Sequence, residues 1–330
     1  MKCTNKHFRK TINFIFVLGL TLSLCGCGDT AYELPYHADS SVSGFNVIAN
    51  GKTDVAQPFA QNLCISPSDF MDPSIANTED AGSAILFDLN NAEVLYSKNA
   101  HEKLSPASLT KVMTALVALK HATPDTVLTA TDAVYVTEKG AQLCGLKPGD
   151  SMTLNQALYI ALVYSANDAA LLIAENIGGS VENFVKMMNE EARSLGATNS
   201  NFVNPHGLTH EDQYVTTYDL YLIFNEAMKQ EKFLEIIQTP SYETTYYNAS
   251  NEPVQLSIRN TNKFVNGDVK APDNVTIIGG KTGTTNAAGH CLAVLSKDKN
   301  GAPYVSIILK AGSRDNLYAQ MTDLLEEIGK

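Results

Sequence analysis

The spacing of apolar residues changes from strand-like to helix-like and back along this chain, and that order constrains the fold. Two short apolar runs, at residues 84–87 and 94–96, flank a polar turn at residues 88–91, which predicts a β-hairpin. From Ser108 to about residue 238 the apolar residues recur at helical spacing, which predicts a block of several helices.

Strand-like spacing returns after this block. The β-branched runs at residues 289–296 and 304–310 are separated by a polar turn, and the apolar residues from Leu317 to Ile328 recur as on an amphipathic helix. Segregated strands and helices favour an α+β fold over alternating βαβ units. We expect an antiparallel sheet flanked by helices, with the helical block inserted as a lobe between the two halves of the sheet and a cleft where the lobes meet.

Composition narrows the class of protein. The chain has 330 residues, of which 44% are hydrophobic and 18% charged, as expected for a globular protein. Its net charge of −11 argues against nucleic acid as a partner. The chain contains no run of 18 apolar residues, so no membrane-spanning helix is predicted. Six cysteines without a CxxC pair predict neither a disulfide scaffold nor a structural metal site.

The first 26 residues are typical of a signal peptide. Four basic residues precede a mostly apolar stretch at residues 12–24, which is too short to span a bilayer comfortably. The sequence then reads Leu24-Cys25-Gly26-Cys27, which resembles the bacterial lipoprotein box. By that resemblance the Cys27 thiol receives the lipid, and Cys25 is a poorer candidate because Leu24 precedes it. An ordinary cleaved signal is the alternative.

A lipidated N-terminus predicts three segments and a location. Cleavage before Cys27 removes four positive charges and no negative ones, which lowers the net charge from −11 to −15. Residues 1–26 are then the signal peptide and residues 27–75, rich in small and polar residues, a flexible linker. Residues 76–330 form the functional domain. We expect an extracytoplasmic protein anchored to the cell membrane by its lipid.

A serine and a lysine three residues apart open the first predicted helix. Ser108 and Lys111 follow Pro106, and residues at i and i+3 share a helix face, so the ammonium can reach the hydroxyl. Serine needs a base to act as a nucleophile at neutral pH. Lysine can supply one when burial or a cationic neighbour lowers its pKa from about 10.4. A capped surface helix with a solvated lysine is the alternative interpretation.

Two further motifs have chemical meaning only in combination with the first. Ser165-Ala166-Asn167 stands at a break between two predicted helices, where a hydroxyl can relay a proton and an amide can orient a lysine. Lys281-Thr282-Gly283-Thr284 precedes a predicted strand, where a lysine and hydroxyls can bind a carboxylate and the glycine can let a ligand approach the backbone. Alone, each motif also fits an ordinary turn.

Together the three motifs resemble those of penicillin-recognising serine enzymes. More closely, the chain resembles the D-alanyl-D-alanine carboxypeptidases of peptidase family S11 from about Ala81 to Leu325. The matching blocks occur in the family's order, at residues 105–111, 146–150, 165–169, 201–208 and 280–283.

The resemblance implies a role for each motif residue and no metal or cofactor. Ser108 would be the acyl-enzyme nucleophile, Lys111 its general base, Ser165 a proton shuttle, and Asn167 a hydrogen-bond partner of Lys111 or of the substrate carbonyl. The substrate's terminal carboxylate would be bound by Lys281, Thr282, Gly283 and Thr284. Backbone N–H groups of Ser108 and Thr284 would form the oxyanion hole. The implied partners are peptidoglycan stem peptides, with β-lactam antibiotics as covalent inhibitors.

The sequence departs from well-known members of the family at three points. Thr284 occupies a position where many members have histidine. About 50 residues follow Lys281, so we expect no second, β-rich domain and no C-terminal amphipathic anchor, which the Cys27 lipid would replace. An arginine is also expected near the carboxylate. Arg314 is the better candidate and Arg259 the weaker one.

Other reactive side chains are expected to be structural. His206 fits a turn in Asn204-Pro205-His206-Gly207, and His290 begins a strand. No histidines are spaced like a metal-binding motif. The three cysteines after Cys27 are expected to be buried free thiols. They are Cys64, Cys144 and Cys291.

Three other functions remain open at this point. A D,D-endopeptidase would share all the motifs. A penicillin-acylated sensor would need only the serine, so the intact set favours catalysis. A β-lactamase of class A would carry a glutamate about 35 residues after the second motif, where this chain reads Asn201-Phe202-Val203-Asn204. The β-lactamase is therefore the least favoured alternative.

Overall fold

The computed structural model describes residues 62–71 and 76–330. The predicted signal peptide, Cys27 and most of the predicted linker lie outside the described residues. Within the described residues, no helix is both long and apolar enough to cross a bilayer.

The larger sheet is antiparallel and has five strands in the order β2-β1-β9-β8-β7. Alternate residues of β1 face two different cores: Ile85 and Phe87 pack toward the helical lobe, whereas Leu86 packs toward the C-terminal helix. The strands are β1 (Ser83–Asp88), β2 (Glu93–Lys98), β7 (Val275–Thr285), β8 (Gly289–Asp298) and β9 (Pro303–Ala311).

The helical lobe occupies the chain between β2 and β7, and a last helix covers the outer face of the sheet. The helices are α1 (Thr110–His121), α2 (Leu154–Tyr159), α3 (Asn167–Gly178), α4 (Val181–Ser194), α5 (Thr217–Ala227), α6 (Glu231–Ile237) and α7 (Arg314–Glu326). Helix α1 is the central element, since every residue from Thr110 to Ala118 is buried. The predicted α+β fold with a helical insertion lobe is thereby confirmed.

A second, four-stranded sheet in the inserted lobe was not expected. Its order is β3-β4-β5-β6, with β3 (Val127–Thr129), β4 (Ser151–Thr153), β5 (Ser241–Tyr247) and β6 (Pro253–Arg259). The strands that return after Thr239 therefore join the inserted lobe first, and the main sheet resumes only at β7. Along β5 and β6 every second side chain is exposed, as in a hairpin with one solvated face.

Residues 62–71 pack against the main domain, although the sequence analysis placed them in the linker. Cys64 is buried, and its N–H donates to the hydroxyl of Tyr221 at 2.9 Å. Phe70 and Ser97 exchange two backbone hydrogen bonds, of 2.8 and 2.9 Å. The packed domain thus begins before residue 76, because this short segment finds backbone partners on β2 and a buried site for its thiol.

Candidate active site

The tight turn that carries Ser108 packs closely against two glycines, Gly207 and Gly283. A 3₁₀ turn, Ala107–Leu109, leads into α1, and Ala107 has a φ of +46°. A Cβ atom added at Gly207 would lie 1.8 Å from the Ala107 carbonyl oxygen, and one added at Gly283 would lie 2.9 Å from the Ser108 nitrogen. Gly283 therefore allows β7 to approach the Ser108 turn, and the expectation that it also lets a ligand approach the backbone stays a prediction.

The Lys111 side chain is buried and has three hydrogen-bond partners. Its Nζ lies 2.9 Å from Ser108 Oγ, 2.7 Å from Asn167 Oδ1 and 2.7 Å from the His206 carbonyl oxygen. Burial is the main cause that lowers the pKa of Lys111 well below its usual value, and the charge of Lys281 lowers it further. The nearby Asp168 carboxylate opposes this shift.

Ser165 and Asn167 are presented at the junction of two helical segments. The π-helical turn Ile160–Tyr164 ends at Ser165, which has a left-handed φ of +69°. Asn167 then begins α3, and its N–H donates to the Gln142 carbonyl at 2.8 Å. Strained residues of this kind are kept where the surrounding structure fixes them, often at functional sites. The predicted break in the helix therefore aims both side chains at the two lysines.

Lys281 faces the same junction from the opposite wall. Its Nζ donates to Ser165 Oγ and to the Thr282 carbonyl oxygen, both at 2.9 Å. Burial lowers the pKa of Lys281 to about 7. The side chain is 1% exposed and is paired with no carboxylate within the described residues. It is therefore suited to receive an anion from outside the protein.

The hydroxyls of Thr282 and Thr284 lie on the same face of β7 and each contacts one partner outside the motif. Thr282 Oγ1 lies 2.6 Å from Thr261 Oγ1, and Thr284 Oγ1 lies 3.2 Å from His290 Nδ1. Because these positions are two residues apart, both side chains project from one side of the strand. They place two hydroxyls on the strand that carries Lys281.

An open cavity of about 830 Å³ joins these groups. Ser108, Ser165 and Asn167 line it from one side, and Thr282 and Thr284 line it from the other. Residues 138–142 form a further wall. The three motifs are separated by more than 50 and more than 100 positions in sequence. They meet at one site, as expected.

The two candidate arginines differ in their surroundings. Arg314, the first residue of α7, lines the cavity. Burial is the main cause that lowers the pKa of His290, and the charge of Arg314 lowers it further. Arg259 pairs with Asp268 at 2.7 Å and its side chain is 61% exposed. Arg314 is thus the arginine of the two that faces the cavity.

Three contributors to the site could not be recognised in the sequence. His206 is buried and lies in a turn as expected, but its carbonyl oxygen contacts Lys111; burial, aided by the charge of Lys111, lowers the pKa of its imidazole to about 3. His290, which is expected to be structural, also lines the cavity. Thr261 lines the cavity as well, and nothing in its local sequence marks it as part of a site.

The Asp168 carboxylate holds residues 144–146, which directly follow the wall formed by residues 138–142. Asp168 follows Asn167 directly, is buried, and accepts the backbone N–H groups of Cys144, Gly145 and Leu146 at 2.8–3.1 Å. The wall and the start of α3 are therefore held as one unit.

The three cysteines in the described part of the chain are free thiols, as expected. Cys64 and Cys291 are buried and Cys144 is half-buried. Within the described residues, no group of three or more His, Cys, Asp or Glu side chains could hold a metal ion.

Comparison with known proteins establishes the family. The family described as D-alanyl-D-alanine carboxypeptidase, peptidase S11, matches residues 71–313. The chain belongs to peptidase family S11. The D-alanyl-D-alanine carboxypeptidase DacF of Bacillus subtilis (strain 168) is 34% identical over 272 residues, which are 80% of this chain and 67% of DacF. The expected relationship to serine D-Ala-D-Ala carboxypeptidases is confirmed.

Other proteins that are similar to this chain carry different names. A D-alanyl-D-alanine endopeptidase of Pseudomonas aeruginosa (strain PAO1) is 32% identical over 244 residues, covering 74% of this chain and 76% of that one. The crystal structure of the Streptomyces K15 DD-transpeptidase superposes with a TM-score of 0.70 at 27% identity, covering 78% of this chain and 98% of that chain. Proteins similar to this chain are therefore named for three related reactions.

Proposed function

We propose that this protein is a serine-type D-Ala-D-Ala carboxypeptidase that removes the terminal D-alanine from peptidoglycan pentapeptide stems through an acyl-enzyme on Ser108. The observation that carries the proposal is the buried Lys111 amine, which lies 2.9 Å from Ser108 Oγ and has two further acceptors. These contacts support a neutral lysine that takes the serine proton.

In the acylation step, a neutral Lys111 amine has two N–H groups and one lone pair. The N–H groups donate to Asn167 Oδ1 and the His206 carbonyl, which directs the lone pair toward the hydroxyl hydrogen of Ser108. Ser108 Oγ attacks the carbonyl carbon of the penultimate D-alanine while its proton moves to Lys111. Backbone N–H groups of Ser108 and Thr284 stabilise the oxyanion.

The attack of Ser108 gives a tetrahedral intermediate. Its collapse breaks the peptide bond and leaves an ester on Ser108. Ser165 passes its proton to the nitrogen of the departing D-alanine and takes up the proton held by Lys111, which returns Lys111 to its neutral form. This role is supported by the position of Ser165 between the two lysine-bearing walls and its 2.9 Å contact with Lys281. Water then attacks the ester carbonyl, releases the tetrapeptide acid and restores the Ser108 hydroxyl. The family relationship supports the same sequence of steps up to the ester with a β-lactam.

The terminal carboxylate of the substrate occupies the space beside Lys281 in this proposal. Lys281 supplies a charge-assisted hydrogen bond, Thr282 and Thr284 supply hydroxyl donors, and Arg314 adds a positive charge at the rim. Gly283 contributes by allowing β7 to approach Ser108. Hydrogen bonds to a charged group are worth about 1.5–3 kcal/mol each, so this arrangement favours a substrate with a free carboxylate.

The direct test is product analysis. Incubation of the purified protein with a pentapeptide stem should release one D-alanine and a tetrapeptide, both identified by mass. A penicillin should add covalently to Ser108, located by peptide mapping, and Ser108→Ala should abolish both results. An active Ser108→Ala protein, or an adduct at another residue, would refute the assignment.

A D,D-endopeptidase is the second candidate, because a relative at 32% identity carries that name. An endopeptidase cleaves a mid-chain bond and tolerates an amidated or extended C-terminus. Equal cleavage of a pentapeptide acid and its C-terminal amide, together with cleavage of cross-linked dimers, would place the endopeptidase first.

We further propose that Cys27 carries a lipid that holds the enzyme on the outer side of the cytoplasmic membrane. The proposal rests on the order of three features at the N-terminus: the basic residues, the apolar stretch and the sequence Leu24-Cys25-Gly26-Cys27. Cys27→Ala should move the protein from the membrane fraction to the soluble fraction, whereas Cys25→Ala should not. Retention of the Cys27→Ala protein in the membrane fraction would reveal another anchor.

A further inference from the structure

The segment that follows β6 touches both walls of the cleft, and it does so through one residue. The N–H of Thr261 donates to the Val163 carbonyl at 3.0 Å, within the π-helical turn that ends at Ser165. The hydroxyl of Thr261 lies 2.6 Å from the hydroxyl of Thr282 on β7, and Thr261 lines the cavity. One threonine thus joins the turn that presents Ser165 to the strand that presents the cleft hydroxyls.

The neighbours of Thr261 hold its backbone in place. Asn260 is buried, and its N–H and Nδ2 donate to the carbonyls of Pro240 and Thr239 at 2.8 and 2.9 Å. Its Oδ1 accepts the N–H of Asn262, which is also fully buried. The position of the Thr261 hydroxyl is therefore set by a rigid segment, although the side chain itself reaches the open cavity.

The chemistry of the ligand decides which hydroxyl donates. A carboxylate only accepts hydrogen bonds, so Thr282 must point its hydroxyl hydrogen at the carboxylate in order to bind it. Its oxygen is then left to accept, and Thr261 is the donor at 2.6 Å. Without that donor, the Thr282 hydroxyl can rotate and donate its hydrogen bond to an acceptor other than the carboxylate.

We propose that Thr261 is a positioning residue that turns the Thr282 hydroxyl toward the substrate's terminal carboxylate, a role that rests on the proposed carboxypeptidase function. Chains of hydroxyls also polarise one another, which strengthens the outer hydrogen bond. Thr261 thereby contributes to the choice of a free carboxylate over an amide without touching the reacting atoms.

The test compares Thr261→Val with Thr261→Ser. Valine keeps the shape and the backbone N–H but removes the donor, whereas serine keeps the donor. For the pentapeptide acid, Thr261→Val should lower kcat/KM about tenfold, mainly through KM, and Thr261→Ser should stay within about threefold of wild type. Cleavage of the C-terminal amide should change little in either variant.

A double-mutant cycle separates positioning from general damage. Because Thr261 acts through Thr282, adding Thr261→Val to Thr282→Val should cost no further activity on the acid. Equal losses on acid and amide, failure of serine to restore activity, or additive losses in the double variant would overturn the inference. If Thr261→Val fails to fold, the same comparison is made with Thr261→Ala against Thr261→Ser. Absence of D-alanine release by the wild type would instead refute the proposed function.

Discussion

The two walls of the cleft each bury a lysine, and the two side chains differ in how many partners they have. Lys111 Nζ lies 2.7–2.9 Å from three oxygens, whereas Lys281 Nζ contacts two. An ammonium group has three N–H donors. Lys281 therefore keeps one donor that no partner in the described part of the chain takes up, while Lys111 has none to spare.

Electrostatics make the same distinction. Burial lowers the pKa of both lysines, to about 7 for Lys281, and the charge on Lys281 further disfavours a charge on Lys111. A proton on Lys281 therefore disfavours a proton on Lys111. The arrangement favours a charged Lys281 that binds an anion and a neutral Lys111 that acts as a base.

The largest effect is expected from Lys111→Arg. Arginine keeps the charge but cannot accept a proton near neutral pH. Acylation of Ser108 by penicillin, followed by intact mass, should slow by about 10³-fold or more. Lys120→Arg is the matched control, because Lys120 only pairs with Glu191 and Glu226, and it should acylate normally.

Near-normal acylation of Lys111→Arg would mean that another group takes the serine proton. The difference between the two lysines would then have no catalytic meaning.

The next effect concerns Lys281→Ala. Wild type should cleave the pentapeptide acid about 10²-fold better than its C-terminal amide in kcat/KM, and Lys281→Ala should remove most of that gap by damaging cleavage of the acid. Lys297→Ala, an exposed lysine on neighbouring β8, is the control. A preserved preference for the acid in Lys281→Ala would assign carboxylate binding to other groups.

The fold was predictable where periodicity is strong and local. Several helices, among them Val181–Ser194, are observed within the block expected from Ser108 to about residue 238, and the hairpin of β1 and β2 lies where it was expected. The smaller sheet was not predictable. Strands β3 and β4 have three residues each, and Ser151 pairs with Tyr247 across almost a hundred positions, so no local pattern reveals the pairing.

The site divides in the same way. The three motifs could be found because side-chain identity carries their chemistry, and the structure brings them together. The His206 contact could not be found, since every residue has a carbonyl and only the turn aims this one at Lys111. Thr261 could not be found either, because its contacts depend on where β6 delivers the chain.

A third prediction shifts the pH dependence of the base. Asn167→Asp places a carboxylate where an amide oxygen lies 2.7 Å from Lys111 Nζ, which raises the pKa of Lys111 by favouring its charged form. Lys111 acts only when neutral, so the acid limb of kcat/KM should move to higher pH. Activity near neutral pH should fall about tenfold or more and recover as pH rises.

Asn167→Ala removes the acceptor without adding charge and serves as the comparison. It should lower activity without an upward shift of the acid limb. An unshifted profile in Asn167→Asp would show that protonation of Lys111 does not govern the rate.

The smallest effect separates the two arginines. Arg314 lines the cavity near Thr284 and His290, but it is exposed, and an exposed charge is screened by water and salt. We expect Arg314→Ala to raise KM for the pentapeptide acid about fivefold at low salt and less at high salt. Arg259→Ala should leave KM within about twofold, because Arg259 is paired with Asp268. The loss of activity on the acid could instead be as large in Arg314→Ala as in Lys281→Ala, and equal at both salt concentrations. That result would mean that the charge of Arg314 is as little screened by solvent as the charge of the buried lysine. The buried lysine would then no longer be the distinctive anion-binding group of this wall.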